Sequence, residues 1–400
     1  MRFAGIDIAS KTHMVAIVDQ AGSVLRKATA FDEDAAGYQK LLALLGDPAD
    51  LLVAMEATGH YGRNLFAALN HQGFRVALIN PLRTRRFAEE DLKRAKNDSI
   101  DALGIACFAA QKRPEATPLL DDVTADLREL VRFYDRLAQD YGDRLRQLHR
   151  LVALCFPEFT RHVPALDTQR ATAILRDYPT ARAFDGDGCL TRLARIRYDR
   201  QHKIGERLAR ALVEAAKISV AAHHSAVYGS EVQYVCCDLD GLRHRLADLR
   251  SDIEARVAQH PVGSLLTTIR GLGAISVARI LAAVGDPARL RHGAALAAYV
   301  GVVPRTNQSG LRRLDRTSLS PLGNARLRRA LYMTTLAAVR LNPWLGAYYE
   351  RLKARGKLPK VALLAAERKL LMAIYSVAKT RRPFELRLPQ PPESSASSPS

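Results

Sequence analysis

FAGIDIASKTHMVAIVDQAGSVLRKATAF, residues 3–31, decides the fold of the first part of this chain. FAGIDIA and HMVAIVDQAG read as two strands, Gly22 marks a turn, and VLRKATAF reads as a third strand. A hairpin-rich start is unlike a dinucleotide-binding fold, which alternates single strands with helices. Working outward, the pattern predicts a helix over residues 34–46 and a strand in DLLVAMEA. GHYGRNLFAALNHQG predicts a helix ending at Gly73, and FRVALINP a buried strand closed by Pro81. A further helix carries KNDSIDA and continues through ALGIACFAAQ.

Three strands followed by helix–strand–helix–strand–helix is the order of a ribonuclease-H-like nuclease core, whose carboxylates converge at one edge of the sheet. Four acids fit that order. Asp7 and Glu56 end apolar runs, while Asp98 and Asp101 are three apart and share one helical face. Carboxylates so placed suit a pair of divalent metals, Mg²⁺ or Mn²⁺. Two such ions about 4 Å apart clamp the attacking and leaving oxygens of a phosphodiester. Glu56 follows LLVAM, where a carboxylate is costly unless paired or metal-bound. Read singly, each acid has a plainer meaning. Asp7 suits a turn or the phosphate site of an actin-like ATPase, whose opening GIDIASKTH resembles, although no DxGG loop follows. Glu56 alone suits a strand end at the surface. Asp98 and Asp101 alone suit a solvated helix.

The chain carries 60 Lys plus Arg against 41 Asp plus Glu, a formal charge of +19. Acid at one site and base elsewhere is what an enzyme acting on a polyanion needs. Its 400 residues predict two or three domains, and 48% apolar content excludes global disorder. Cys107, Cys155, Cys189, Cys236 and Cys237 show no CxxC pair, so reduced cytosolic thiols are expected instead of a zinc site or disulfides. Asp7 and Lys11 interrupt any apolar run near the start, which predicts no secretory signal. No apolar stretch reaches the roughly 20 residues of a membrane span.

A cationic rim flanks the helical acids: Arg83, Arg85 and Arg86 in RTRR, and Lys93, Arg94 and Lys96 in KRAK. Beside a metal site such residues hold incoming phosphates; otherwise they are a solvated surface. Residues 119–258 read as helical. Leu127, Leu130, Tyr134, Leu137 and Tyr141 form one apolar seam. Val235, Leu239, Leu242, Leu246, Leu249 and Ile253 form another. They predict a coiled-coil arm, a dimer interface or an internal bundle. Between them lie a Pro/Gly-broken stretch at 157–190, a basic patch at 192–203 and a helix near 205–218. His202, His223 and His224 lack metal-ligand spacing.

From Pro261, SLLTTIRGLGAISVARILAAVGDP resembles a helix–hairpin–helix, with Gly271 and Gly273 freeing backbone N–H groups to grip a DNA phosphate. An ordinary helical hairpin is the alternative. Ser309 lies in NQSG amid Arg305, Arg312, Arg313 and Arg316. Its hydroxyl suits binding a phosphate or attacking one, and the sequence does not separate the two. Gly323 and Asn324 open a basic helix bearing Arg326, Arg328 and Arg329. The Pro/Ser-rich tail, 389–400, is expected to be disordered.

GIDIAS, AMEATGHY, VALINP and KNDSIDA together resemble the amino-terminal half of the DEDD transposases of insertion sequences, the bridge-RNA-guided recombinases. GLGAISVARILAAVGDP, YVGVVPRTNQSG and SPLGNARLRRALY resemble the carboxy-terminal domain of that family. The resemblance covers nearly the whole chain apart from parts of the middle and the tail. It implies a RuvC-like domain over 1–118, a helical coiled-coil region over 119–258 and a mainly helical serine-bearing domain over 259–388. The fold class is thus α/β plus all-α. The resemblance also makes Asp7, Glu56, Asp98 and Asp101 the metal-binding acids and Ser309 the nucleophile. It implies double-stranded donor and target DNA and a structured guide RNA. Dimers would pair into a tetramer on DNA, with the acids of one subunit near the serine of another. The setting would be the bacterial cytoplasm, with the nucleoid. Asn97 departs from the threonine usual before the third acid, which alters local helix capping. A resolvase-like endonuclease using the same acids for hydrolysis remains the competing reading. A non-catalytic nucleic-acid-binding module is the third, and four retained acids argue against it.

Overall fold

Leu51–Glu56 is apolar at five consecutive positions because both faces of that strand are covered. The computed structural model describes residues 1–57, 59–90, 98–302, 308–309, 312–313 and 323–385. The chain divides into two units, Met1–Leu120 and Asp121–Ser400.

The first unit holds β1 (Arg2–Asp7), β2 (Thr12–Val18), β3 (Val24–Asp32), α1 (Ala35–Leu45), β4 (Leu51–Glu56), α2 (Arg63–His71), β5 (Arg75–Ile79), α3 (Pro81–Glu90) and α4 (Asp98–Lys112). The sheet order is β3-β2-β1-β4-β5. β1, β2 and β3 pair antiparallel, whereas β1, β4 and β5 pair parallel. This mixed sheet is compatible with an RNase-H-like domain. Alternation sends Ala4, Ile6, Val53 and Met55 to one face, against Leu41 of α1 and Leu65 of α2. Phe3, Leu52 and Ala54 go to the other, against Phe87 of α3 and Ile105 and Phe108 of α4.

The sequence does not anticipate α3. Pro81 closes β5, as expected, but it also opens a helix. Its missing N–H costs nothing in a first turn, and the Asn80 side chain accepts the Leu82 N–H at 2.9 Å. RTRR is therefore a turn of helix and not a loop.

The second unit is built on two 34-residue helices, α5 (Asp122–Cys155) and α10 (Ala226–Gln259). Each is about 50 Å long. Contacts join Asp126 to Arg256, Tyr134 to Arg250, Arg144 to Asp238 and Arg150 to Glu231, so the two run antiparallel. The seams read from the sequence meet each other within one chain. Leu127, Leu137, Val235, Leu239, Leu242 and Ile253 are buried. Leu130, Tyr134, Tyr141, Leu246 and Leu249 are only half-buried. Two helices alone leave a seam open at its sides.

The hairpin ends in two cores. Between α5 and α10 lie α6 (Phe159–His162), α7 (Gln169–Asp177), α8 (Cys189–Arg195) and α9 (Glu206–Lys217), which enclose Leu148, Cys155, Val232 and Leu239. At the other end, Leu127, Val131, Ile253 and Val257 enter the core of the carboxy-terminal helices. These are α11 (Gly263–Leu266), α12 (Ala274–Val284), α13 (Gly293–Val300), α14 (Ala325–Leu341), α15 (Pro343–Ala354) and α16 (Pro359–Thr380). A short ladder, β6 (Gln308–Ser309) with β7 (Arg312–Arg313), lies between α13 and α14.

The expected helix–hairpin–helix has a first helix of one turn only, Gly263–Leu266. The Thr267 and Thr268 hydroxyls bond back to the Ser264 and Leu265 carbonyls, competing with a continued helix. The five cysteines are not bridged by disulfides. Among the described residues no helix is long and apolar enough to cross a membrane. The tail from 389 lies outside the described residues.

Candidate active site

β1 and β4 are parallel neighbours with Ile6 opposite Met55. The next residue on each strand is an acid, so Asp7 and Glu56 end adjacent strands side by side. Ile6 and Met55 point into the α1/α2 core. Strand alternation therefore turns both acids toward the face that carries α3 and α4. Both are half-buried.

Thr84 of α3, only 8% exposed, donates its hydroxyl to a Glu56 carboxylate oxygen. Such a bond fixes the carboxylate's orientation before any ligand arrives. Thr84 was not singled out in the sequence. Its signal is that Thr84 and Phe87, at helical spacing, are the inward residues of an otherwise cationic turn.

Gly5 brings the third element in. A Cβ there would overlap the backbone of Ala102 and Ala106, so α4 crosses β1 at a distance that only glycine permits. Asp101 immediately precedes Ala102, which places the amino-terminal end of α4 beside the strand ends. Asp101 is exposed. Asp98 is the first residue of α4, and its side chain lies outside the described residues. The structure thus brings Asp7 and Glu56 together and sets the start of α4 next to them. Among the described residues, no three His, Cys, Asp or Glu side chains form a group able to hold a metal ion.

A second residue missed in the sequence is His13, which is fully buried. Its Nδ1 accepts the Ala9 N–H at 3.2 Å, so Nε2 carries the proton and donates to Glu33 Oε2 at 2.6 Å. Glu33 Oε1 accepts the Tyr38 hydroxyl at 2.8 Å. Burial first, then the Glu33 carboxylate, pushes the Tyr38 phenol above its ordinary range. This network ties down the segment that follows Asp7. A histidine at an inward position of an alternating strand is its only sequence signal.

The cationic residues separate by role. Arg83 lies over the Phe108 ring at 5.3 Å, Arg85 pairs with Glu89 at 3.1 Å, and Arg86 is exposed. Lys93, Arg94 and Lys96 lie outside the described residues, as do Arg305 and Arg316. Gly271 is a packing residue: a Cβ there would stand 2.5 Å from the Ala338 Cα of α14. Gly273 is exposed at the start of α12. Arg328 is half-buried and donates to the Val300 carbonyl at 3.3 Å, so it serves the fold instead of facing outward. Arg326 and Arg329 are exposed on α14.

Ser309 pairs with Arg312, and Gln308 with Arg313. The segment that bears them leaves and rejoins the helical core at a narrow neck. Gly301 and Gly323 have φ of 87° and 112°, and a Cβ on Gly323 would stand 2.7 Å from the Gly301 Cα. The Asn324 N–H bonds to the Tyr299 carbonyl at 2.8 Å, closing the neck.

Comparison with known proteins gives a consistent result. Residues 4–157 match the family of DEDD transposases of IS110. Residues 263–350 match the Transposase IS116/IS110/IS902 family. The chain is 27% identical to the insertion element IS110 43.6 kDa protein of Streptomyces coelicolor, over 97% of this chain and 96% of that one. It is 27% identical to the insertion element IS900 42 kDa protein of Mycobacterium paratuberculosis, over 94% and 95%. It is 25% identical to the pilin gene-inverting protein of Moraxella bovis, over 96% and 98%.

Proposed function

From the premise that this chain belongs to the IS110 family of transposases, enzymes that cleave and join DNA strands, we propose a recombination chemistry shared between an acidic site and a serine. The observation that carries it is the placement of Asp7 and Glu56 on adjacent strand ends, beside the start of the helix that bears Asp98 and Asp101. Hard carboxylate oxygens of this kind are the donors that Mg²⁺ or Mn²⁺ takes. Asp7, Glu56, Asp98 and Asp101 would hold the ions. When bound, they supply Lewis-acid polarisation of a phosphodiester.

The chain's own residues do the rest. Thr84 orients Glu56, and His13 fixes the turn after Asp7. Ser309 Oγ forms the bond to phosphorus, and the bond from phosphorus to the 3′ oxygen breaks. The hydroxyl proton passes to solvent, and the 3′ oxygen leaves as a protonated hydroxyl. Arg312 and Arg313, beside Ser309 on the ladder, offset the charge that develops on the phosphoryl oxygens. The substrates are double-stranded donor and target DNA, selected by a structured bridge RNA. The working assembly is a dimer that pairs into a tetramer on DNA, in the bacterial cytoplasm.

Metal-dependent hydrolysis by the acids alone is the second reading. The name of the Moraxella relative, a pilin gene-inverting protein, favours rejoining over hydrolysis. Denaturing gels with labelled DNA decide between them. The wild-type protein should leave a covalent protein–DNA band, Ser309→Ala should lose it, and both should bind DNA. Asp7→Asn should lose cleavage and keep binding. A covalent band that survives in the Ser309→Ala protein refutes the serine mechanism.

A further inference from the structure

A cavity of about 510 Å³ opens at the root of the helical hairpin, under the neck from which the Ser309 segment departs. Its walls come from α5, α12, the end of α13 and the first turn of α14. Four arginines line it: Arg128, Arg132, Arg279 and Arg326. Among the described lining residues the acid is Asp135, held by Arg279 through Nε at 3.0 Å and Nη2 at 2.5 Å, while Arg132 Nη1 pairs with Glu129 Oε1 at 2.9 Å just outside it. Among the described residues that line the cavity, arginines outnumber acids four to one.

The cavity is built, not incidental. Arg128 Nε donates to the Ala282 carbonyl at 2.7 Å, which fixes its guanidinium against the α12 wall. The Tyr299 hydroxyl donates to the Ala283 carbonyl at 2.9 Å, which fixes an aromatic ring that is 41% exposed. Asn324 caps α14, a 17-residue helix whose amino-terminal end adds its partial positive charge to the same space.

Guanidinium walls exclude an apolar ligand, and the volume exceeds what an isolated small anion fills. Fixed arginines beside an exposed aromatic ring suit a phosphodiester with its sugar and base. We propose that this cavity binds a nucleic-acid strand by its phosphodiester backbone, at the root of the Ser309 segment. The proposal rests on the reading that the chain acts on nucleic acid, and it names where a strand is gripped before it reaches the serine.

The test uses the full-length protein with Arg132 and Arg326, both exposed and both replaceable without disturbing the core. Fluorescence anisotropy measures binding of labelled duplex DNA and, separately, of a labelled RNA hairpin over a range of salt. The control is Arg207→Glu with Arg210→Glu on α9, the same change of charge on exposed residues outside the cavity. Arg132→Glu with Arg326→Glu should weaken binding at least about tenfold near physiological salt. It should also flatten the salt dependence by one to two phosphate equivalents, at about 0.9 in log–log slope for each on B-DNA. The control should lose less than about threefold.

Loss on the DNA arm identifies a DNA strand, and loss on the RNA arm identifies RNA; either supports the site. Equal loss in the cavity variant and the control, or no loss in either, overturns it. Arg132→Ala with Arg326→Ala, checked by thermal melting, provides the same comparison should charge reversal impair folding. Binding is read without catalysis, so absence of a covalent band in the wild-type protein would refute the serine mechanism and leave this result standing. Cleavage retained with unchanged binding would do the reverse.

Discussion

Glu367 is a carboxylate in the wrong solvent. It lies on α16 in the carboxy-terminal core, with no exposed surface, and neither carboxylate oxygen has a hydrogen-bond partner. Burial pushes its pKa from the ordinary 4.5 to about 7, against the opposing pull of Arg328. The folded state therefore holds this proton more tightly than the unfolded state. Stability from the neutral acid is fully present below about 4.5 and is lost as pH rises through about 7. At about 1.4 kcal/mol for each tenfold change in the proton equilibrium, the full loss is roughly 3 kcal/mol. Glu367→Gln keeps the shape and removes the ionisation. The variant should be more stable than wild type by under ~1 kcal/mol at pH 5 and by roughly 3 kcal/mol at pH 8. Urea titrations that follow Trp344 fluorescence measure this directly. Trp344 is the chain's single tryptophan, and Lys369 of α16 lies 4.5 Å from its ring centroid. A stability difference that stays constant between the two pH values refutes the reasoning, as does a Glu367→Gln protein that is less stable at pH 8.

Three other substitutions follow from the geometry. Gly5→Ala forces a methyl into the backbone of α4 and should cost about 1–3 kcal/mol. It should also lower cleavage about a hundredfold, because the start of α4 moves away from Asp7; an unchanged melting curve and rate would count against the close crossing. Thr84→Val removes the bond to Glu56 with little change in volume. Cleavage should fall about 10- to 100-fold with melting temperature nearly unchanged, measured by initial rates across a metal titration, and wild-type rates at every metal concentration would show that Thr84 does not hold Glu56. Gly323→Ala meets both a φ of 112° and the Gly301 backbone. It should cost at least about 1–2 kcal/mol and lower the yield of the covalent product; wild-type yield would show that the neck tolerates a side chain.

The sequence alone determined those features that are local or periodic. Alternation at residues 3–31 identified three strands, and the apolar run ending at Glu56 identified a further one. Spacings of three and four marked the two long helices and the seam on each. The acids, the basic setting of Ser309 and the net charge were legible because they are properties of composition and order. Tertiary structure decided which periodic elements meet. Register between β1 and β4 pairs residues 49 positions apart, as Ile6 with Met55, and no short pattern encodes it; yet it alone sets Asp7 beside Glu56. A seam states that a helix has a partner and not which partner, so the pairing of α5 with α10 in one chain emerges only in three dimensions. Thr84, His13 and Glu367 act through the burial and hydrogen bonding that packing imposes, and the arginine cavity exists because four helices converge. Side-chain chemistry is written along the chain, while the solvent and the neighbours that give it a role are supplied by the fold.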